Sequence, residues 1–330
     1  MAVSVVEAIG PALSCTGRIL FKPFQIGKWF TLGFCAWLAY LGQGGFRVNV
    51  PGRGPGGFGG PGGHGGGGPG FEPVFDWVNE HMALVVLLAI LFVAVVVAIS
   101  LLVLWLSSRG QFMFLDGVAR NRSAVVEPWR RFRELANSLF WFRVVLGLIG
   151  LAGFIVIGGL GAAIASPDIA AREFGGMAIA GIVTGVLLFI VFAIVMAVIV
   201  ALVRDFVVPV MYLRDVKALY AWRIFRYEVA RGYFWNFVLF YLMAFLLGLA
   251  IAIMALIAMV ATCCIGACIA AIPYIGTVLL LPIFVFMRCY SLCFLRQFGP
   301  DWDVFPADPV PAAPWPPPAP VPGRPAMPPQ

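Results

Sequence analysis

An arginine deep within an apolar run is the residue of this sequence best placed to do chemistry. Arg288 lies eight residues before Arg296, about 12 Å deeper at ~1.5 Å per helical residue. It ends a stretch of 56 uncharged residues that begins after Arg231. The matching places in the other long apolar runs, Leu101 and Met196, carry no charge. An ionisable group inside a membrane marks a ligand pathway or a pairing within the protein. Two readings stay open. Arg288 holds an anionic headgroup or solute in a cavity shared with Arg204 and Asp205, or it snorkels or pairs with Asp205 or Glu228.

Other reactive residues offer less. Cys263, Cys264 and Cys268 follow a Cys-Cys-x₃-Cys spacing that is no standard zinc pattern. They read as small packing residues or a disulfide, and Cys289 and Cys293 read as packing. His64 stands alone among glycines. His81, beside Glu80, opens an apolar run. Zinc-type histidine pairs, a Ser-His-Asp set, paired mid-span acids and a phosphate loop are all missing from the sequence. The expectation is a non-enzymatic protein with no catalytic residue, no metal and no cofactor.

The elements that position these residues follow from composition. Hydrophobic residues make up 62% of the 330 and charged residues 11%, against about 25% charged in a soluble domain. So little charge cannot coat a soluble protein of this size. The chain is therefore expected to be all-α, a polytopic membrane bundle. A span needs about 20 mostly apolar residues. Uncharged runs at 82–106, 144–165 and 177–203 each satisfy this. The 56-residue run accommodates two spans, 234–260 and 275–296, turning near Gly266, Pro273 and Gly276. A sixth, 24–43, is weaker because it carries Gln25 and Lys28. The membrane domain so drawn runs from 24 to 300, after a cytoplasmic segment 1–23.

Charge orients the spans. Nineteen of the 22 Lys and Arg residues, with ten acids, fall on one side. Arg47, Arg53 and Arg172, with five acids, fall on the other. Cytoplasmic loops carry the basic excess, so both termini are expected in the cytoplasm and the protein in the cell membrane. The net +7 is mostly juxtamembrane and implies membrane lipid, not nucleic acid, as partner.

An internal repeat organises the chain. Phe21-Lys22, Phe132-Arg133 and Phe225-Arg226 are each followed, eight residues after the Phe, by an aromatic pair. Arg109-Gly-Gln-Phe112, Arg204-Asp-Phe206 and Arg296-Gln-Phe298 close the three units, 88, 72 and 71 residues after the motif Phe. The extra length of the first copy matches a glycine-rich insertion. Each unit is expected to be an amphipathic cytoplasmic helix followed by a membrane hairpin. In the second and third units Trp129 with Phe132, and Trp222 with Phe225, fall on one helical face. Arg133 and Arg226 stand beside it. Such helices either lie in the lipid interface, aromatics inward and Arg at the headgroups, or pack under the bundle. The leading function here is a non-enzymatic membrane domain that engages anionic lipid or a protein partner through these basic-aromatic helices. The alternative is a small-solute or lipid transporter with Arg288, Arg204 and Asp205 lining a polar cavity.

Two segments are low-complexity. Residues 42–72 are glycine-rich and expected to be a disordered outer loop. Residues 301–330 are proline-rich and expected to be a disordered cytoplasmic tail, a candidate docking segment for a protein partner.

The run Arg204-Asp205-Phe206-Val207-Val208-Pro209-Val210-Met211-Tyr212, followed by Ala221-Trp222-Arg223-Ile224-Phe225, resembles a family of uncharacterised prokaryotic six-helix membrane proteins. Lys22-Pro23-Phe24 and Lys28-Trp29-Phe30 fit the same picture. That family is distantly similar to the membrane domain preceding some glycerophosphodiester phosphodiesterases. The resemblance implies a helical membrane domain without assigned chemistry. It does not imply phosphodiesterase activity, since the soluble catalytic barrel has no counterpart here.

Overall fold

The computed structural model describes residues 4–22, 24–41, 81–171, 175–261 and 272–305. Helices α1 (Ile9–Phe21), α2 (Ile26–Tyr40), α3 (Met82–Ala119), α4 (Val126–Arg131), α5 (Arg133–Ala171) and α6 (Gly176–Leu202) come first. They are followed by α7 (Val208–Arg214), α8 (Ala218–Ile224), α9 (Phe234–Ala261), α10 (Pro273–Leu279) and α11 (Leu281–Arg296). No strand occurs among the described residues. The glycine-rich loop, the 263–268 cysteine cluster and the tail beyond 305 lie outside the described residues.

Among the described residues four helical stretches are long and apolar enough to cross a membrane: Met82–Ala119, Arg133–Asp168, Gly176–Arg214 and Phe234–Ile257. The two remaining expected spans are shorter. Helix α2 has 15 residues, fewer than the ~20 a span takes. The 275–296 segment is broken at Leu280, which leaves the helical region between α10 and α11. Pro282 explains the break, because it supplies no N–H to the Val278 carbonyl oxygen four residues back and its ring crowds that carbonyl.

Helix α3 shows where the core lies. Its 38 residues extend about 57 Å at ~1.5 Å each, well beyond a hydrocarbon layer of about 30 Å. From Met82 to Leu102 it is almost wholly exposed, and from Ser107 to Ala119 every residue is buried. Helix α6 is mostly exposed and burial sets in just past its end, at Val203, while in α9 the buried residues, Phe237 and Phe240, lie near its start. The packed core gathers at the basic end, around Phe112, Phe206, Phe240, Tyr290 and Phe294. The apolar halves stand out from it as bare helix surfaces, which suits lipid as solvent and explains why their residues show no amphipathic stripe.

Close backbone approaches hold the helices at their crossings. A Cβ on Gly110 would lie 2.5 Å from the backbone of Leu38 and Ala39, so α2 and α3 touch through glycine. Along the α5–α6 hairpin, a Cβ on Gly181 would meet the Gly161 carbonyl oxygen at 2.6 Å. Small residues that admit such approach are how apolar helices pack without a hydrophobic drive between them. The Asp168 carboxylate caps that hairpin by accepting the Ala178 N–H at 2.7 Å.

Lys28, the charge that weakened the first expected span, is a buried staple. Its ammonium donates to the Ile19 carbonyl oxygen and to Asn121 Oδ1, joining α1, α2 and the α3–α4 turn. Residues just past the last helix also pack: Trp302 is buried under Arg214, 5.3 Å from its ring, and Asp303 pairs with Arg296 at 3.1 Å. The packed chain thus continues to residue 305, beyond the start expected for the tail.

Candidate functional site: an arginine cluster inside the bundle

The sequence around Arg204 departs from α geometry. Residues Val203–Val207 form a π-turn, in which the Val208 N–H reaches back to the Val203 carbonyl oxygen. Single π-turns inside α-helices recur at functional sites. In this register the Arg204 carbonyl would need the N–H of residue 209, which is a proline and has none. Arg288 from α11 supplies the missing donor, its Nη1 lying 2.7 Å from the Arg204 carbonyl oxygen. Pro209 in one helix thereby accounts for a buried arginine in another.

The side chains form the rest of the site. Arg204 forks onto its neighbour Asp205, with contacts of 2.8 and 3.2 Å. The Arg204 side chain keeps 35% of its surface accessible although it lies inside the bundle, because it faces cavities. Above it, the Tyr40 ring centre sits 5.8 Å from the guanidinium. Arg288 is 5% exposed and its Nε has no hydrogen-bond partner. Gln111, 4% exposed, leaves both amide atoms unpartnered and lines a small gap with Tyr40, Arg204 and Arg288. The Tyr241 hydroxyl is also buried without a partner. It opens with Arg204, Asp205 and Arg288 onto a cavity of about 280 Å³.

A third guanidinium faces Arg204 from α5. Arg143 is 9% exposed. Its one hydrogen bond is a long 3.5 Å contact from Nη1 to the Ser108 hydroxyl oxygen. No acid pairs with Arg143 or Arg288 among the described residues. Arg143 and Arg204 share a second cavity of about 710 Å³ between α3, α5 and α6. Arg204 therefore faces two further guanidiniums, Arg288 across one cavity and Arg143 across another, and its own carboxylate partner is Asp205.

The other residues singled out in the sequence lie apart from this cluster. Arg133 and Arg226 are exposed on the outer face of their helices. Phe132 and Phe225 are buried, and Trp129 and Trp222 pack against the core. The aromatic face thus points into the bundle. Phe132 stacks on Phe112 at 5.9 Å, and Phe225 on Phe206 at 5.6 Å. Trp129 closes one side of Arg109, whose guanidinium lies 4.4 Å from the Trp105 ring centre and 4.6 Å from that of Trp129. Such cation–π contacts stabilise a desolvated guanidinium. Glu228, named as a partner for Arg288, is exposed in a second π-turn, Phe225–Ala230.

Arg143, Gln111, Tyr40 and Tyr241 were invisible to sequence reasoning. Arg143 begins a span and counts there as one more juxtamembrane charge. The two tyrosines sit in apolar runs with no spacing that sets them apart, and Gln111 stands in the motif Arg109-Gly-Gln-Phe112, which marked only the end of a repeat unit. Only Pro209, five residues after Arg204, carried a signal, since it breaks the hydrogen-bond ladder beside a charge.

A second polar cluster needs no ligand. Asp116 is fully buried and accepts from Arg122 Nε and Nη2 at 3.1 and 3.0 Å and from the Tyr212 hydroxyl at 2.9 Å. Arg120 adds a contact at 3.3 Å. Arg122 also reaches Glu127 at 2.9 Å, and hydrogen bonds to Glu127 and then Asp116 raise its pKa. Among the described residues no group of three or more His, Cys, Asp or Glu is placed to hold a metal ion.

No curated protein and no solved structure matched the chain. Nothing connects it with glycerophosphodiester phosphodiesterases. A family model does match, over residues 3–281, a range that takes in Arg143, Arg204 and Asp205 and stops before Arg288. That range is most of the chain, and the protein belongs to the family of unknown function DUF7544.

Proposed function

We propose that this is a non-enzymatic membrane protein that binds an anionic group, the phosphate or carboxylate of a lipid or small solute, at Arg143, Arg204 and Arg288. One observation carries the reading: of three guanidiniums lining the cavities inside the bundle, only Arg204 has an acid partner, Asp205, among the described residues. Placing an arginine at membrane depth costs about 2.5–3.5 kcal/mol on insertion scales. Arg204 offsets that with Asp205, and Arg288 partly with a carbonyl. Arg143 has only a long hydroxyl contact, so an anion from outside the chain is the group that completes the site. The unpartnered Gln111 amide and Tyr241 hydroxyl supply neutral donors beside it.

The lipid partner thus meets the buried cluster, in place of the inward-packed Trp and Phe face. On the same reading, α2 and the α10–α11 pair complete a six-span bundle in a prokaryotic cytoplasmic membrane, with the basic end and both termini inside the cell. Three repeated units fit this arrangement, supported by the parallel Phe132–Phe112 and Phe225–Phe206 stacks. Transport of the bound group across the membrane is the second reading, favoured by the cavities on two sides of Arg204.

Analysis of ligand bound to the purified protein tests the proposal. Wild type is expected to retain anionic lipid or solute near one per chain, and Arg143→Gln to lose it while Arg143→Lys retains part. Equal retention by wild type and Arg143→Gln would remove the site.

A further inference from the structure

The shape of the larger cavity says what kind of anion enters. It runs between α3, α5 and α6, and its volume of about 710 Å³ falls within the ~300–1,000 Å³ of small-molecule sites. One end holds Arg143, Arg204 and Ser107. Away from that end its walls include Ile99, Val103, Gly147, Gly150, Phe192 and Met196, with one hydroxyl, that of Ser100, already bonded to the Val96 carbonyl oxygen. Ile99 is 55% exposed, so the wall is continuous with the outer surface of the apolar helix halves. Gly147 and Gly150 leave room: a Cβ on Gly147 would meet no atom within 4 Å, and one on Gly150 only the Met196 methyl at 3.6 Å.

We infer that this groove takes one acyl chain ending in a carboxylate or phosphate, with the anionic head on Arg143 and Arg204 and the chain along Gly147 and Gly150. The inference rests on the anion-binding reading above and names its ligand class. Charge complementarity fixes the direction of the amphiphile. Its head meets two guanidiniums, whereas the rest of the groove is hydrocarbon apart from Ser100, whose hydroxyl already donates to the Val96 carbonyl oxygen. An inorganic anion would use the head site and leave the apolar walls open to lipid. A two-chain lipid would keep its second chain in the bilayer, at the Ile99 rim.

Radiolabelled oleate, bound to the full-length protein in phosphatidylcholine nanodiscs, tests this. Wild type is expected to bind oleate saturably. Gly150→Leu fills the groove about two helical turns from Arg143, and Ile99→Trp narrows it from the opposite wall. Each is expected to weaken oleate binding by about tenfold or more, while binding of inorganic phosphate stays as in wild type. Arg143→Gln is expected to weaken both probes. If both groove variants bind oleate as wild type does while Arg143→Gln loses it, the chain lies elsewhere. This inference then fails, and the arginine site stands. If Arg143→Gln also binds as wild type does, both readings fail. Displacement of oleate by phosphatidylglycerol identifies a membrane lipid as the source of the chain. Lack of displacement identifies a free fatty acid, and the groove assignment holds in either case.

Discussion

Two clusters of charge lie inside this bundle, and they differ in their balance. Around Asp116, two arginines meet two acids, and the buried carboxylate accepts from two guanidiniums and a tyrosine hydroxyl. Around Arg204, three arginines meet one acid, and a glutamine and a tyrosine beside them have no partner. A balanced, satisfied network holds structure, since each charge compensates another and each donor has an acceptor. An unbalanced one withholds stability from the empty protein and returns it when an anion arrives. The first cluster ties α3 to the α4 turn and to α7. The second lies where cavities open.

Substitutions in the two clusters should separate them. The largest loss is expected from Asp116→Asn, about 3 kcal/mol, read as melting temperature in detergent, because it strands Arg122 and the Tyr212 hydroxyl. Wild-type stability there would mean that the balanced cluster holds nothing together.

Next comes Arg288→Met, expected to cost about 2 kcal/mol by leaving the Arg204 carbonyl without a donor. Pro209→Ala restores an N–H to position 209. In the Arg288→Met background it should recover about 1 kcal/mol, while in wild type it gains nothing. Additive effects in that cycle would break the link between the proline and the arginine.

The smallest effects form a matched pair. Tyr212→Phe removes a hydroxyl that bonds Asp116 and should cost about 1.5 kcal/mol. Tyr241→Phe removes a hydroxyl without a partner and should change stability by less than about 0.5 kcal/mol. Equal losses would erase the distinction between the clusters.

Much of the architecture was legible from residues. Four of the expected spans correspond to long apolar helices because a charge-free run of that length has few other solutions. The ends of the series were harder. Lys28 looked like a flaw in a span, and its buried bonds to α1 and Asn121 depend on contacts far apart in sequence. Pro282 interrupts the last expected span, and the long uncharged run around it concealed that effect. At the site, Arg204, Asp205 and Arg288 could be singled out as charges in apolar surroundings, and the structure brings them together. Arg143 could not, because a span-flanking arginine looks the same in sequence whether it faces headgroups or the bundle interior. The inward direction of Trp129 and Trp222 was likewise hidden, since an amphipathic stripe reads alike against lipid and against a protein core.

The central claim is that the Arg143 side of the arginine cluster is arranged for an anion and not for the fold, and Arg143 tests it most directly. It has no acid partner among the described residues, and it shares its cavity with the like charge of Arg204. Melting of wild type and Arg143→Gln should be compared in nanodiscs of phosphatidylcholine and of phosphatidylglycerol. In phosphatidylcholine the variant is expected to melt at or above wild type, because a repulsive buried charge is gone. In phosphatidylglycerol only wild type should gain stability. A variant that melts well below wild type in phosphatidylcholine, yet gains as much as wild type in phosphatidylglycerol, would show Arg143 to be a structural residue and contradict the account.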